Sequence, residues 1–129
     1  MAFTHTVTQS ISTGPGPGYS GNKAYTGDGK TSREVAVPDS STDLLVNLAV
    51  DLSQLKSLFM LSDQDMTVET NSGAAPDDTI SLKAGVPYIW NADAPQSNPF
   101  TVDVTKLYLT TGVVGASTLN IEVLQDATP

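Results

Sequence analysis

Few side chains in this 129-residue chain are of a kind that does covalent or metal chemistry, and their surroundings argue against such use. There is no cysteine, which excludes disulfides, thiolate metal sites and cysteine nucleophiles together. The one histidine, His5, shares its parity with Phe3 and Val7. That spacing favours a structural or interface role. A catalytic histidine needs an orienting acid and a nucleophile beside it, and a zinc ion needs more ligands than this neighbourhood offers. The stretch Ala24-Tyr25-Thr26-Gly27-Asp28-Gly29-Lys30-Thr31 ends like a phosphate-cradling loop. It has Ala24 where the first glycine belongs, and a strand-like 33–37 follows in place of the helix that must face the phosphates. Gly14-Pro15-Gly16-Pro17-Gly18 has the glycine spacing of a dinucleotide fingerprint, but its prolines remove backbone donors and no helix follows. Asp63-Gln64-Asp65 and Asp77-Asp78 could offer oxygen ligands to calcium, yet neither matches an EF-hand loop, and acids in turns commonly cap their own backbone. The expectation is a protein with no catalytic residues, no metal and no cofactor.

Aromatic residues raise one binding possibility. Tyr88, Trp90, Phe100 and Tyr108 fall where a carbohydrate-binding sandwich would present a stacking platform. Tyr88 and Trp90 share the parity of Val86, which favours burial. Charge narrows the partners further. Fourteen acidic against six basic residues leave a net charge of -8, a field that repels phosphate backbones and anionic lipid surfaces. No nucleic acid and no membrane is expected as a partner. The acids are scattered along the chain, as on a solvated surface. No stretch reaches the roughly 20 apolar residues of a spanning helix, and Met1-Ala2-Phe3-Thr4-His5 lacks the basic start and apolar run of a signal peptide. A soluble protein made in a cytoplasm is expected.

The elements that must position these residues read as strands. Apolar residues alternate at period two between clusters of Gly, Pro, Asn, Asp and Ser, and helical periodicity is hard to find. Phe3, His5, Val7, Gln9 and Ile11 share one face of a first strand. Residues 33–37 make a short strand stopped by Pro38, and Leu44, Val46, Leu48, Val50 and Leu52 give the cleanest alternation. Residues 51–55 suit one helical turn. The run Leu58-Phe59-Met60-Leu61 suits a core strand covered on both faces. Residues 66–70, 79–83, 86–90, 105–110 and 117–124 complete the set. Ala84-Gly85 and Gly112-Val113-Val114-Gly115 are expected to close two tight hairpins. The fold class is all-β, an antiparallel β-sandwich or jelly roll of about eight short strands. One domain spans 1–129, with 13–32 a flexible Gly/Pro-rich N-terminal loop or arm.

Four consecutive segments carry a family likeness. They are 63–72 (Asp63-Gln64-Asp65-Met66-Thr67-Val68-Glu69-Thr70-Asn71-Ser72), 79–90 (Thr79-Ile80-Ser81-Leu82 through Tyr88-Ile89-Trp90), 98–109 (Asn98-Pro99-Phe100 through Tyr108-Leu109) and 117–124 (Ser117-Thr118-Leu119-Asn120-Ile121-Glu122-Val123-Leu124). In that order they resemble the small capsid decoration or cement proteins, minor structural proteins of tailed-bacteriophage virions. The resemblance covers a little over half of the chain. It implies a jelly roll or sandwich, a homo-oligomer with a trimer favoured, and a place on the outer capsid surface. There such proteins clamp neighbouring subunits of the major capsid protein, without catalysis. On that expectation the Gly/Pro loop and the segment from Phe3 to Ile11 are the candidates for contact between subunits, with Phe3, His5, Val7, Tyr19, Tyr25 and Arg33 as the interface residues, because an edge strand or extended arm can add to a neighbour's sheet. A carbohydrate-binding or host-adhesion module on the same sandwich is the alternative.

Overall fold

In a computed structural model the described residues are 2–112 and 115–127, and nearly all regular structure in them is strand. The strands are β1 (Phe3–Ile11), β2 (Tyr19–Gly27), β3 (Gly29–Val37), β4 (Leu44–Val50), β5 (Leu55–Ser62), β6 (Met66–Thr70), β7 (Thr79–Leu82), β8 (Tyr88–Asn91), β9 (Val104–Thr110) and β10 (Ser117–Gln125). The expected helical turn is present as a 3-10 turn at Leu52–Gln54, where the Asp51 side chain accepts the Ser53 N–H. Among the described residues no helix is long and apolar enough to cross a membrane.

Eight strands form two four-stranded antiparallel sheets, ordered β3-β10-β5-β8 and β4-β9-β6-β7, and β1 pairs with β2 alone. The pairings nest, with β3 on β10, β4 on β9, β5 on β8 and β6 on β7. One long antiparallel ribbon has thus been rolled up, and the β10–β5 and β9–β6 pairings complete each sheet. This order defines a jelly roll, the more specific form of the expected sandwich.

Two expectations about connectivity are corrected. The turn at Ala84-Gly85 does not close a hairpin, because β7 belongs to one sheet and β8 to the other. Gly85 takes φ +74 and its N–H donates to Ser62 O at 2.8 Å, so the glycine turns a corner between sheets. The segment between β9 and β10 likewise crosses from sheet to sheet, and Val113 and Val114 of its expected turn lie outside the described residues. The 13–32 loop is also corrected. Residues 19–27 pair with β1 in continuous register from Ile11↔Tyr19 to Phe3↔Gly27, and β3 begins at Gly29. Only 12–18, where the prolines cluster, and the bend at Asp28 are irregular, and the Thr13 hydroxyl donates to Pro17 O at 2.6 Å across the first of these. Tyr19, Tyr25 and Thr26 supply the strand-favouring residues that composition alone hides.

The core lies between the two sheets. Leu58, Met60, Leu119, Ile121 and Val123 face Val46, Val68, Leu107 and Leu109, all buried. Period-two alternation places them there and turns Asn47, Glu69 and Thr79 outward on the β4-β9-β6-β7 sheet. Phe59 and Leu61 point away from the core and remain half-buried, so β5 is apolar on both faces, as its sequence suggests.

One loop residue ties several segments together. Asn71 sits at φ +67 just after β6, where its amide nitrogen donates to Asp77 Oδ2 (2.7 Å) and Asp103 O (2.9 Å). Its side-chain oxygen accepts the Thr105 N–H at 2.8 Å and the Thr105 hydroxyl at 3.2 Å. Asn tolerates the left-handed backbone that most side chains avoid. Asn71→Ala loses these bonds and keeps the strained backbone, so it should cost about 2–3 kcal/mol, and Asn71→Gly, which relieves the backbone, should cost less. Urea unfolding of both variants measures the difference, and equal losses would mean the backbone conformation contributes nothing.

Candidate interaction surface

The β1–β2 ribbon lies across the outer face of the β3-β10-β5-β8 sheet. Antiparallel pairing puts Phe3/Gly27, His5/Tyr25, Val7/Lys23, Gln9/Gly21 and Ile11/Tyr19 on one face of it. The near end of that face covers Leu124 and Ser57, an adjacent pair on β10 and β5 that is 0% and 2% exposed although it points away from the main core. Gly27 is required by this approach, since a Cβ there would collide with the carbonyl of Gln125 and press on the Leu124 side chain. Further along, the Tyr25 hydroxyl donates to Asn91 Oδ1 at 2.8 Å, and Lys23 pairs with Asp93 while its ammonium sits 5.6 Å from the Tyr25 ring centre. The hydrogen bond and charge of Lys23 hold the Asp93 carboxyl below its ordinary range.

Past Val7 the ribbon leaves its support. Gln9 borders a shallow cleft with Pro87, Tyr88, Ile89 and Gln96, and beyond it Ile11 and Tyr19 are 60% and 63% exposed. Two larger clefts flank the seam. One of about 420 Å³ is lined by Val7, Gln9, Tyr25, Ile89, Asp93 and Gln96, and one of about 380 Å³ by His5, Val7, Lys30, Phe59, Ile89 and Glu122. The β8 edge beside the overhang is blunted, because Gln96 Nε2 donates to Ile89 O at 3.2 Å. The first charged residue in the chain is Lys23, so the whole overhang is uncharged in a protein of net charge -8.

The six interface candidates therefore separate. Phe3, His5, Val7 and Tyr25 are half-buried on the inner face of the ribbon, Tyr19 is exposed at its tip, and Arg33 is elsewhere. Arg33 Nη1 donates to Asn47 O at 2.9 Å, lacing β3 to β4 of the opposite sheet. Ile11 and Gln9 belong to the exposed surface and are not among the six. Their signal is the mirror symmetry of two alternating strands about the Gly/Pro loop, which pairs Ile11 with Tyr19.

The remaining chemistry resolves into scaffolding. Asp63 Oδ1 accepts Thr118 N, Asp65 Oδ1 accepts Ala84 N, and the Asp78 carboxylate accepts both Thr101 N and Thr101 Oγ1. Asp39 and Asp28 hold Gly115 N and Ala127 N in the same way. Among the described residues no three His, Cys, Asp or Glu side chains are grouped so as to hold a metal ion. Residues 24–31 run through the end of β2 and into β3, a geometry without a phosphate-facing helix. Phe100 is buried, and Tyr88 and Trp90 pack against the core, leaving Tyr108 half-buried on the opposite sheet. No protein-family model matches this chain, and no curated protein or solved structure matches it at a significant level.

The seam makes three expectations measurable. Tyr25→Phe removes one neutral hydrogen bond and should cost about 1 kcal/mol, whereas Gly27→Ala overpacks the Gln125 carbonyl and should cost about 1–3 kcal/mol. Denaturant titration reads both, and a neutral Gly27→Ala would refute the close approach. The folded-state value of Asp93 is depressed, so the Lys23 pair contributes fully above about pH 4 and its contribution fades as pH falls through that lower value. Asp93→Asn should flatten that part of the acid-stability profile.

Proposed function

We propose that this protein is a non-catalytic virion accessory protein that binds the outside of a phage shell at junctions between major capsid protein subunits and stabilises them. The observation that carries the proposal is the ribbon overhang, with Ile11 and Tyr19 exposed together on one face. A two-stranded ribbon is marginally stable by itself in water, so an unsupported end of this kind gains most from a partner surface. Its lack of charge lets it approach that surface without the repulsion that the acidic body would otherwise impose. The jelly roll behind it is a rigid mount, pinned at its loops by aspartate side chains. The family likeness of 63–124 supports the same reading, including a trimer on the outer capsid surface.

Purified protein should cosediment with isolated shells and raise the temperature at which they disrupt, and light scattering of the free protein should report three times 13.5 kDa. Ile11→Ser combined with Tyr19→Ser should abolish cosedimentation while leaving the unfolding midpoint unchanged, because neither side chain touches the core. A tip variant that binds shells as well as the parent, or a parent that does not bind them, would overturn the proposal.

A further inference from the structure

His5 sits at the seam between ribbon and sheet in an unusual state. Its Nε2 is buried without a hydrogen-bond partner. Glu122 Oε2 lies 3.7 Å away, beyond hydrogen-bonding distance, and that oxygen already accepts the Ser32 hydroxyl at 2.6 Å. The side chain is 12% exposed and borders the 380 Å³ cleft under the ribbon. Two charged groups face it, Glu122 from β10 and Lys30 from β3. β5 presents Ser57 and Phe59, and β8 presents Ile89, none of which titrates. On the ribbon itself its cross-strand partner is Tyr25, and its neighbours Thr4 and Thr6 are uncharged.

We propose that the ribbon is a pH-released latch, docked on the sheet while His5 is neutral and loosened when acidification protonates it. An imidazolium at this position would bring a charge into the seam with its Nε2 donor unpaired, 3.7 Å from the nearest carboxylate oxygen and sharing the cleft with a lysine. Burial holds His5 below its ordinary value, outweighing the attraction of Glu122, and Lys30 acts in the same direction as burial. In a released ribbon the imidazole returns to about 6.5, so protons bind the released form more tightly. Docking is therefore complete above that value and weakens as pH falls toward the docked-state value. The Lys23–Asp93 pair at the far end stays charged throughout this window, since Asp93 is held down by Lys23. Glu69, whose carboxyl is pushed up by partial burial and then by Asp43, lies on the opposite sheet and does not face the ribbon. Release would expose the inner face of Phe3, Val7 and Tyr25 in continuity with Ile11 and Tyr19, whatever partner takes it.

NMR titration of the intact chain from about pH 7.5 to about pH 5 tests the latch. The His5 ring should titrate below its ordinary value. The amides of Tyr25, Asn91 and Glu122 should move with it while those of Val68 and Leu107 stay fixed. The docking constant should fall by up to about tenfold for each pH unit separating the two His5 values. His5→Gln should abolish the transition, Glu122→Gln should make release more complete at a given acid pH, and Lys30→Gln should make it less so. A seam that does not respond in the parent, a transition that survives in His5→Gln, or docking that tightens on acidification would each overturn the proposal. Unchanged core amides in every variant separate release from loss of fold.

Discussion

A sheet strand has two faces, and a two-sheet sandwich supplies dry contact for only one of them. The architecture of this protein follows from how each sheet disposes of its other face. The β4-β9-β6-β7 sheet turns mainly polar residues outward, Asn47, Lys106, Thr67, Glu69 and Ser81 around the one apolar pair Leu45 and Tyr108, so it has less need of cover. The β3-β10-β5-β8 sheet carries Leu124, Phe59, Leu61 and Ile89 on its outer side and cannot be left bare at comparable cost. The β1–β2 ribbon exists in this position because Leu124 must be covered, and the tight fit at Gly27 fixes its angle of approach. Where the ribbon outruns the apolar strip, its own apolar residues become the exposed ones.

Much of the jelly roll is legible in the sequence because burial on one face imposes alternation. Leu44, Val46, Leu48 and Val50 could only be a half-buried strand, and the unbroken 58–61 run marks a strand with apolar residues on both sides. Connectivity is far less legible. A corner such as Ala84-Gly85 needs the same left-handed glycine whether the chain returns beside itself or crosses to the facing sheet, so local turn chemistry carries no information about which. The ribbon is hidden for a different reason. Its second strand, Tyr-Ser-Gly-Asn-Lys-Ala-Tyr-Thr-Gly, is poor in apolar residues because only Tyr25 and Gly27 meet the sheet, and a strand with little to bury leaves little pattern.

The acidity of the chain has a structural content that net charge conceals. Asp28, Asp39, Asp51, Asp63, Asp65, Asp78 and Asp103 each accept a backbone N–H at a loop or strand end. In a fold whose strands mostly alternate between sheets, the connections cannot satisfy their donors with tight-hairpin bonds, and carboxylates fill that role. Charge-assisted bonds of this type are short and directional, which suits loops that must hold a crossing angle. The same residues that raise the possibility of calcium ligation in the sequence are thus occupied by the fold itself.

Nesting also sets an order in time. β10 is the interior strand that joins β3 to β5, with Gly29 opposite Gln125, so β3 and β10 are brought together across most of the sequence. Until the ribosome has released β10, β3 has no neighbour and β5 holds only the short β8. Leu124, which the ribbon needs as its seat, arrives with the same strand. Sheet closure and ribbon docking therefore become possible together, once β10 has been made, and a nascent chain stalled before β10 would present an open apolar sheet edge to quality control.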